Sequence, residues 1–159
     1  MHDPGAGRMA RRKVEATTNE AGLVAYASKE PSAFAGMLGG LIEANVIARP
    51  DKRKDFESLV ARVGIWVTDI EEGVTLVFDA GRLTVYNDLE PRRTITIRAD
   101  AETVMSLSNL KIGPLGLPVY YDEVGRTVAL KLLRGKLRID GLLTNIATLN
   151  RVTRVFSVQ

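Results

Sequence analysis

The chain has 159 residues, 45% of them hydrophobic, which suits one domain with a real core and leaves little room for two. Twenty-two basic residues against 19 acidic ones give a net charge of +3 without a basic tract, so nucleic acid is not the expected partner. Cysteine is absent, which excludes disulfides, thiolate nucleophiles and cysteine metal sites and fits a reducing compartment, the cytoplasm by default.

Residues 1–30 carry Pro4, Gly5 and Gly7 with no sustained apolar period and read as a loosely ordered appendage, with a short helical turn at Leu23 to Ala27. Its cluster of Arg8, Arg11, Arg12 and Lys13 reads as a solvated tail that offers, at most, transient contact with an anionic membrane surface. From Pro31 the pattern becomes regular, and residues 31–159 read as the domain. Ser32 caps a first helix to about Ala48, in which Phe34, Met37, Leu38, Leu41, Ile42 and Asn45 follow at helical spacing. Gly36, Gly39 and Gly40 on the same helix predict that something packs very close to it. Pro50 opens a second helix to about Arg62, with Phe56, Leu59 and Val60 inward.

The period then changes to two. Val63, Ile65 and Val67, then Val74, Leu76 and Phe78, then Leu83 and Val85 predict a meander of three strands with turns at Glu71 to Gly73 and at Ala80 and Gly81. Thr94 to Arg98 predicts a fourth strand, and Asp100 caps a helix carrying Val104, Leu107 and Leu110. Ile112 to Asp122 is too broken by glycine and proline for regular structure and too apolar for an ordinary loop, which predicts a lid. Thr127 to Leu133 fits helix and strand equally poorly. Lys136 to Asp140 predicts the fifth strand, and Leu142 to Phe156 the last helix. The fold class is therefore α/β (α+β), a five-stranded, mostly antiparallel sheet.

Chemistry is sparse. The single histidine, His2, lies in the tail, which excludes a Ser-His-Asp triad and a histidine metal site. Carboxylates at Asp69, Glu71, Glu72, Asp79, Asp122 and Glu123 sit where turns need them, and no glycine loop ends in the lysine-serine pair that cradles a nucleotide phosphate. Neither an enzyme nor a cofactor is expected, although a small α/β isomerase or dehydratase with a buried acid-base pair stays open as an alternative.

Three local sequences occur in a telling order: Phe78-Asp79-Ala80-Gly81 running into Leu83-Thr84-Val85, Ala99-Asp100-Ala101-Glu102-Thr103, and Gly135-Lys136-Leu137-Arg138-Ile139-Asp140-Gly141. In this order, over about residues 32 to 156, the chain resembles the sterol carrier protein type-2 domain family. That resemblance implies helices packed on one face of the sheet around an apolar tunnel that holds a sterol, fatty acid or fatty acyl-CoA. The proline-rich loop is longer than the resemblance implies, and no peroxisomal targeting tripeptide closes the sequence. The lining expected here is Met37, Leu38, Leu41, Ile42, Leu76, Phe78, Val104, Met105, Leu107, Leu142, Ile146 and Leu149, joined by Leu115, Leu117 and Tyr120 of the loop, with Asn45, Asn145 or Tyr120 at a polar mouth. The expected partner is a lipid-like small molecule. A filled core serving as a partner subunit of a lipid-metabolising enzyme is the other reading.

Overall fold

The computed structural model describes residues 22–109 and 122–158. Among them run β1 (Val24–Tyr26), α1 (Ala33–Ala48), α2 (Pro50–Ser58), β2 (Val60–Val67), β3 (Glu72–Asp79), β4 (Leu83–Tyr86), β5 (Ile95–Ala99), α3 (Ala101–Ser108), α4 (Glu123–Leu133), β6 (Arg138–Asp140) and α5 (Ile146–Phe156). The expected tail cluster from Arg8 to Lys13 and the expected lid from Ile112 to Tyr121 lie outside the described residues.

The strands form one mixed sheet in the order β1-β4-β3-β2-β5-β6. Pairs β2–β3, β3–β4 and β5–β6 are antiparallel, whereas β1–β4 and β2–β5 are parallel. The α/β class holds, with six strands in place of five. The additional one is β1, found where the sequence suggested a helical turn: Val24 is buried against the core and the strand pairs with Leu83 to Val85, so ordered structure begins before Pro31. Three residues are too few to show a period.

Alternation sets the two faces of the sheet. In β2, Ala61, Val63, Ile65 and Val67 are buried on the helix side, and Gly64 faces the other way. That second face is covered by the connection from β4 to β5, which crosses behind β3 and β2. A Cβ on Gly64 would collide with the Arg93 side chain, and one on Gly73 would press on Asp88 and Leu89, so these glycines let the crossing segment lie flat. Thr75 fastens it: its hydroxyl donates to the Asp88 carbonyl at 2.7 Å and accepts from the Glu90 amide at 2.8 Å.

Helix boundaries follow their caps. Ser32 accepts from the Ala35 amide and Asp100 from the Thr103 amide, as expected, and these hydrogen bonds to Thr103 hold the Asp100 carboxyl below its usual range. Helix α2 is shorter than its apolar pattern suggested. It ends at Ser58; Leu59 is extended, and Val60 opens β2 with its side chain exposed. Of the glycines in α1, Gly39 has the close neighbour, since its Cβ would lie 2.5 Å from the Tyr26 hydroxyl. The phenol of β1 packs there and donates to the Gly36 carbonyl at 3.3 Å. Gly36 and Gly40 have nothing within 4 Å.

Helix α5 is fastened at its C-terminal end by side chains from 99 to 111 residues away. Asn45 Nδ2 donates to the carbonyls of Val155 and Phe156 at 3.2 and 3.0 Å. Lys52 Nζ donates to the carbonyls of Arg154 and Ser157, and Asp55 holds Arg154 in a bidentate pair at 2.9 Å. An ammonium at the carbonyl end of a helix also answers its dipole. Burial, with Lys52 only 3% exposed, nevertheless pushes its ammonium below the usual 10.5, Arg49 adding to the effect. A lowered folded value means that the unfolded chain binds more protons between that value and 10.5. Stability should therefore rise with pH across this window, the contribution being complete above 10.5 and lost as pH falls through the folded value. Lys52→Met should flatten the rise, measured as urea midpoints for the two proteins over alkaline pH.

Candidate functional site

The helix side of the sheet divides into two halves. Toward β1 and β4 the space is filled: Phe34, Ala35 and Leu38 of α1 and Phe56 of α2 pack with Leu83, Val85 and Phe78. The rings of Phe56 and Phe78 meet edge-on with centroids 6.2 Å apart. Toward β5 and β6 the aliphatic side chains stop short of one another and enclose a cavity of about 400 Å³.

Its floor is the sheet, where the register lines up Leu76 with Val63 and Ile65 with Ile97 and then Ile139. Its walls come from α1 (Ile42), α3 (Val104 and Leu107), α4 (Val128, Ala129, Leu132 and Leu133) and α5 (Leu149, Val152, Thr153 and Phe156), with Leu137 and Leu142 flanking β6. Leu132 and Leu133 are exposed as well as lining, which marks the open side at the end of α4.

Helix α4 is held over the cavity by its termini. Asp122 caps it, accepting from the Gly125 amide at 2.7 Å. Lys131 reaches α3 and donates to the Thr103 hydroxyl at 2.7 Å, with Asp100 at 3.9 Å. At the far end Gly135, at φ +73°, closes the helix: the amides of Gly135 and Lys136 donate to the carbonyls of Leu132 and Lys131. Gly141, at φ +85°, closes β6 in turn, and a Cβ there would lie 2.6 Å from the Thr94 carbonyl oxygen. The two glycines of the Gly135 to Gly141 sequence thus bracket the short strand that carries Ile139 into the lining.

The chemistry of the lining is nearly uniform. Among the described residues Thr153 is the sole polar one in the lining, and its hydroxyl donates to the Leu149 carbonyl of its own helix at 2.8 Å. None of the described lining residues is titratable. The carboxylates singled out in the sequence lie elsewhere: Asp69 accepts from the Ala101 amide, Asp122 caps α4 and Asp79 is exposed in the β3–β4 turn. Among the described residues no group of His, Asp and Glu could hold a metal ion.

Six of the residues expected in the lining are there: Ile42, Leu76, Val104, Leu107, Leu142 and Leu149. Six others lie apart from it. Leu38 and Phe78 belong to the filled half, Leu41 and Met105 are half-buried without reaching the cavity, and Met37 and Ile146 are 42% and 51% exposed. Leu115, Leu117 and Tyr120 fall outside the described residues. Nor do the amides proposed for a polar mouth stand free. Asn45 is spent on α5, and Asn145 donates to the carbonyls of Gly141 and Thr94 at 3.1 and 3.3 Å. What the sequence reading missed is chiefly α4. The signal was present, because Asp122 and Glu123 precede Val124, Val128 and Leu132 at four-residue spacing, the pattern of a capped amphipathic helix.

The sequence matches no known family profile and no curated protein. Solved structures are similar in fold. A UbiJ-SCP2 ubiquinone synthesis protein aligns with a TM-score of 0.54 at 15% identity, over 77% of this chain and 90% of that one. Sterol carrier protein 2 aligns with a TM-score of 0.44 at 14% identity, over 74% and 91%. A conserved hypothetical protein from Thermus thermophilus aligns at 0.38 and 14% identity, over 76% and 88%. The first of these carries the fold assignment: the chain has the architecture of a sterol carrier protein 2-like domain. Among the described residues no helix is long and apolar enough to cross a membrane.

Proposed function

We propose that this protein binds a hydrophobic molecule of the sterol, fatty acid or fatty acyl-CoA class in the cavity between α3, α4, α5 and the sheet, and that it acts as a carrier and not as an enzyme. The observation that supports this most is the cavity itself, about 400 Å³ with a lining that, among the described residues, offers a ligand no free polar group. Because the cavity opens beside Leu132 and Leu133, its aliphatic lining meets water until an apolar ligand displaces it, which favours occupancy. Filling it is the natural use. At roughly the 30 Å³ that a water molecule occupies, the space takes about a dozen atoms of ligand, so an acyl chain or part of a ring system enters. At about 0.8 kcal/mol per buried methylene the gross gain approaches 10 kcal/mol before ordering costs, enough for binding without a charged anchor. Chain length then governs affinity more than head group does. A carrier must also collect its ligand, and transient contact with a membrane surface belongs to this reading.

Protein purified from cells should yield lipid near one equivalent when extracted with organic solvent and analysed by mass spectrometry, and the emptied protein should take up fluorescent fatty-acid or sterol analogues. Repeated extracts without lipid, together with no uptake of either analogue, would refute the proposal. A second reading, an accessory subunit presenting lipid to a lipid-metabolising enzyme, draws support from the similar ubiquinone synthesis protein. Stable co-purification with one enzyme would favour it.

A further inference from the structure

The stretch of chain that forms the open side of the cavity belongs to a segment whose charge differs from that of the rest of the sequence. Residues 124–159 contain seven of the 22 basic residues and one of the 19 acidic ones, a net charge of +6 against −3 for the rest of the sequence. Some of these cations are engaged, Arg154 by Asp55 and Lys131 by Thr103 and Asp100. Arg134, Lys136 and Arg138 are exposed and form no ion pair among the described residues. The backbone gathers them, since the turn at Gly135 follows Arg134 directly and leads through Lys136 into β6. The register places Arg138 directly opposite Arg98, and the nearby carboxylate of Asp140 is 3.6 Å from Arg98. Like charges facing each other across an antiparallel pair disfavour folding unless an anion joins them.

Large apolar side chains stand beside this charge. Leu133 is 83% exposed and Leu143 88%, and each adjoins or forms part of the cavity rim, Leu133 itself and Leu142 both being lining residues. Leu130 on α4 and Ile146 at the start of α5 are exposed as well. Exposed leucines rimmed by unpaired cations match the interface of a bilayer, where apolar side chains enter the acyl boundary and cations meet lipid phosphates.

We propose that the end of α4, the turn into β6 and the loop before α5 form a docking face for an anionic phospholipid bilayer, with Leu133 and Leu143 inserted, Arg134, Lys136 and Arg138 on the phosphates, and the cavity opening toward the membrane. Charge complementarity selects this partner over a second copy of the chain, whose own face would repel it. The purpose of docking rests on the carrier reading; the docking itself does not.

The test is flotation of the full chain with vesicles made of equal parts phosphatidylcholine and phosphatidylglycerol, beside vesicles of phosphatidylcholine alone. Binding should require phosphatidylglycerol and weaken as salt is added. Each basic residue near such a surface contributes about fivefold to partitioning, so Arg134→Glu with Lys136→Glu should lower it by more than about tenfold. Leu143→Ser, at an exposed position outside the lining, should lower it by a similar factor. Both variants should still take up a fluorescent fatty acid from solution. Three results would overturn the proposal: vesicle binding unchanged in both variants, equal binding to phosphatidylcholine alone, or binding lost only on neutralising Arg8, Arg11, Arg12 and Lys13. Absent fatty-acid uptake with vesicle binding intact would instead count against the carrier reading and leave the docking face standing.

Discussion

Ala129→Trp should abolish uptake of a long-chain fatty-acid probe while leaving the fold in place. Ala129 lines the cavity from α4, and its half-buried position next to the open side gives an indole somewhere to go that is not already occupied. The ring would fill the space that several ligand methylenes otherwise enter. Losing room for about four of them forfeits roughly 3 kcal/mol, a fall in affinity of more than about a hundredfold. Because the indole also buries apolar surface in a void, thermal stability of the empty protein should hold or rise. Fluorescence titration and a thermal melt on the same sample check both halves. Unchanged affinity would mean that the ligand lies elsewhere.

Gly141→Ala should destabilise the protein strongly for the addition of a single methyl group. The residue sits at φ +85°, where an L side chain is strained by about 1 to 3 kcal/mol, and the added carbon would press on the backbone oxygen of Thr94 at 2.6 Å. Backbone gives way less easily than a side-chain tip. The same peptide carbonyl of Thr94 accepts from Asn145 at 3.3 Å, so displacing it also loosens the start of α5. A loss of about 3 kcal/mol is expected by urea denaturation. Gly36→Ala is the control, since nothing lies within 4 Å of a Cβ there and alanine favours the helix.

Much of this was readable in the sequence, for physical reasons that also explain the failures. The alternation through Val63, Ile65 and Val67 located β2 and its inward face, and Asp100 with Thr103 located the start of α3, because period and cap chemistry are local properties. Strand β1 was not readable, since three residues paired to a distant strand carry no period of their own. Leu38 and Phe78 face inward as their spacing required, but spacing along one element does not reveal where the opposite layer withdraws. That depends on the bulk brought by Phe34 and Phe56, which fills one end, and on the aliphatic chains of α4, which leave the other end hollow. Asn45 and Asn145 illustrate the same limit. Both were candidates for a polar mouth, yet backbone carbonyls supplied by distant segments had already claimed their amides.

The fastening of α5 has a kinetic consequence. Its hydrogen bonds from Asn45 and Lys52 span 102 to 111 residues of sequence, so each requires a long loop to close before it contributes anything. Such contacts form late in folding, after the β2–β3 hairpin has assembled from neighbours. Until then the apolar floor of the sheet has no roof on the side of α5, and the nascent domain presents to its surroundings the same surface that the finished one keeps for its ligand.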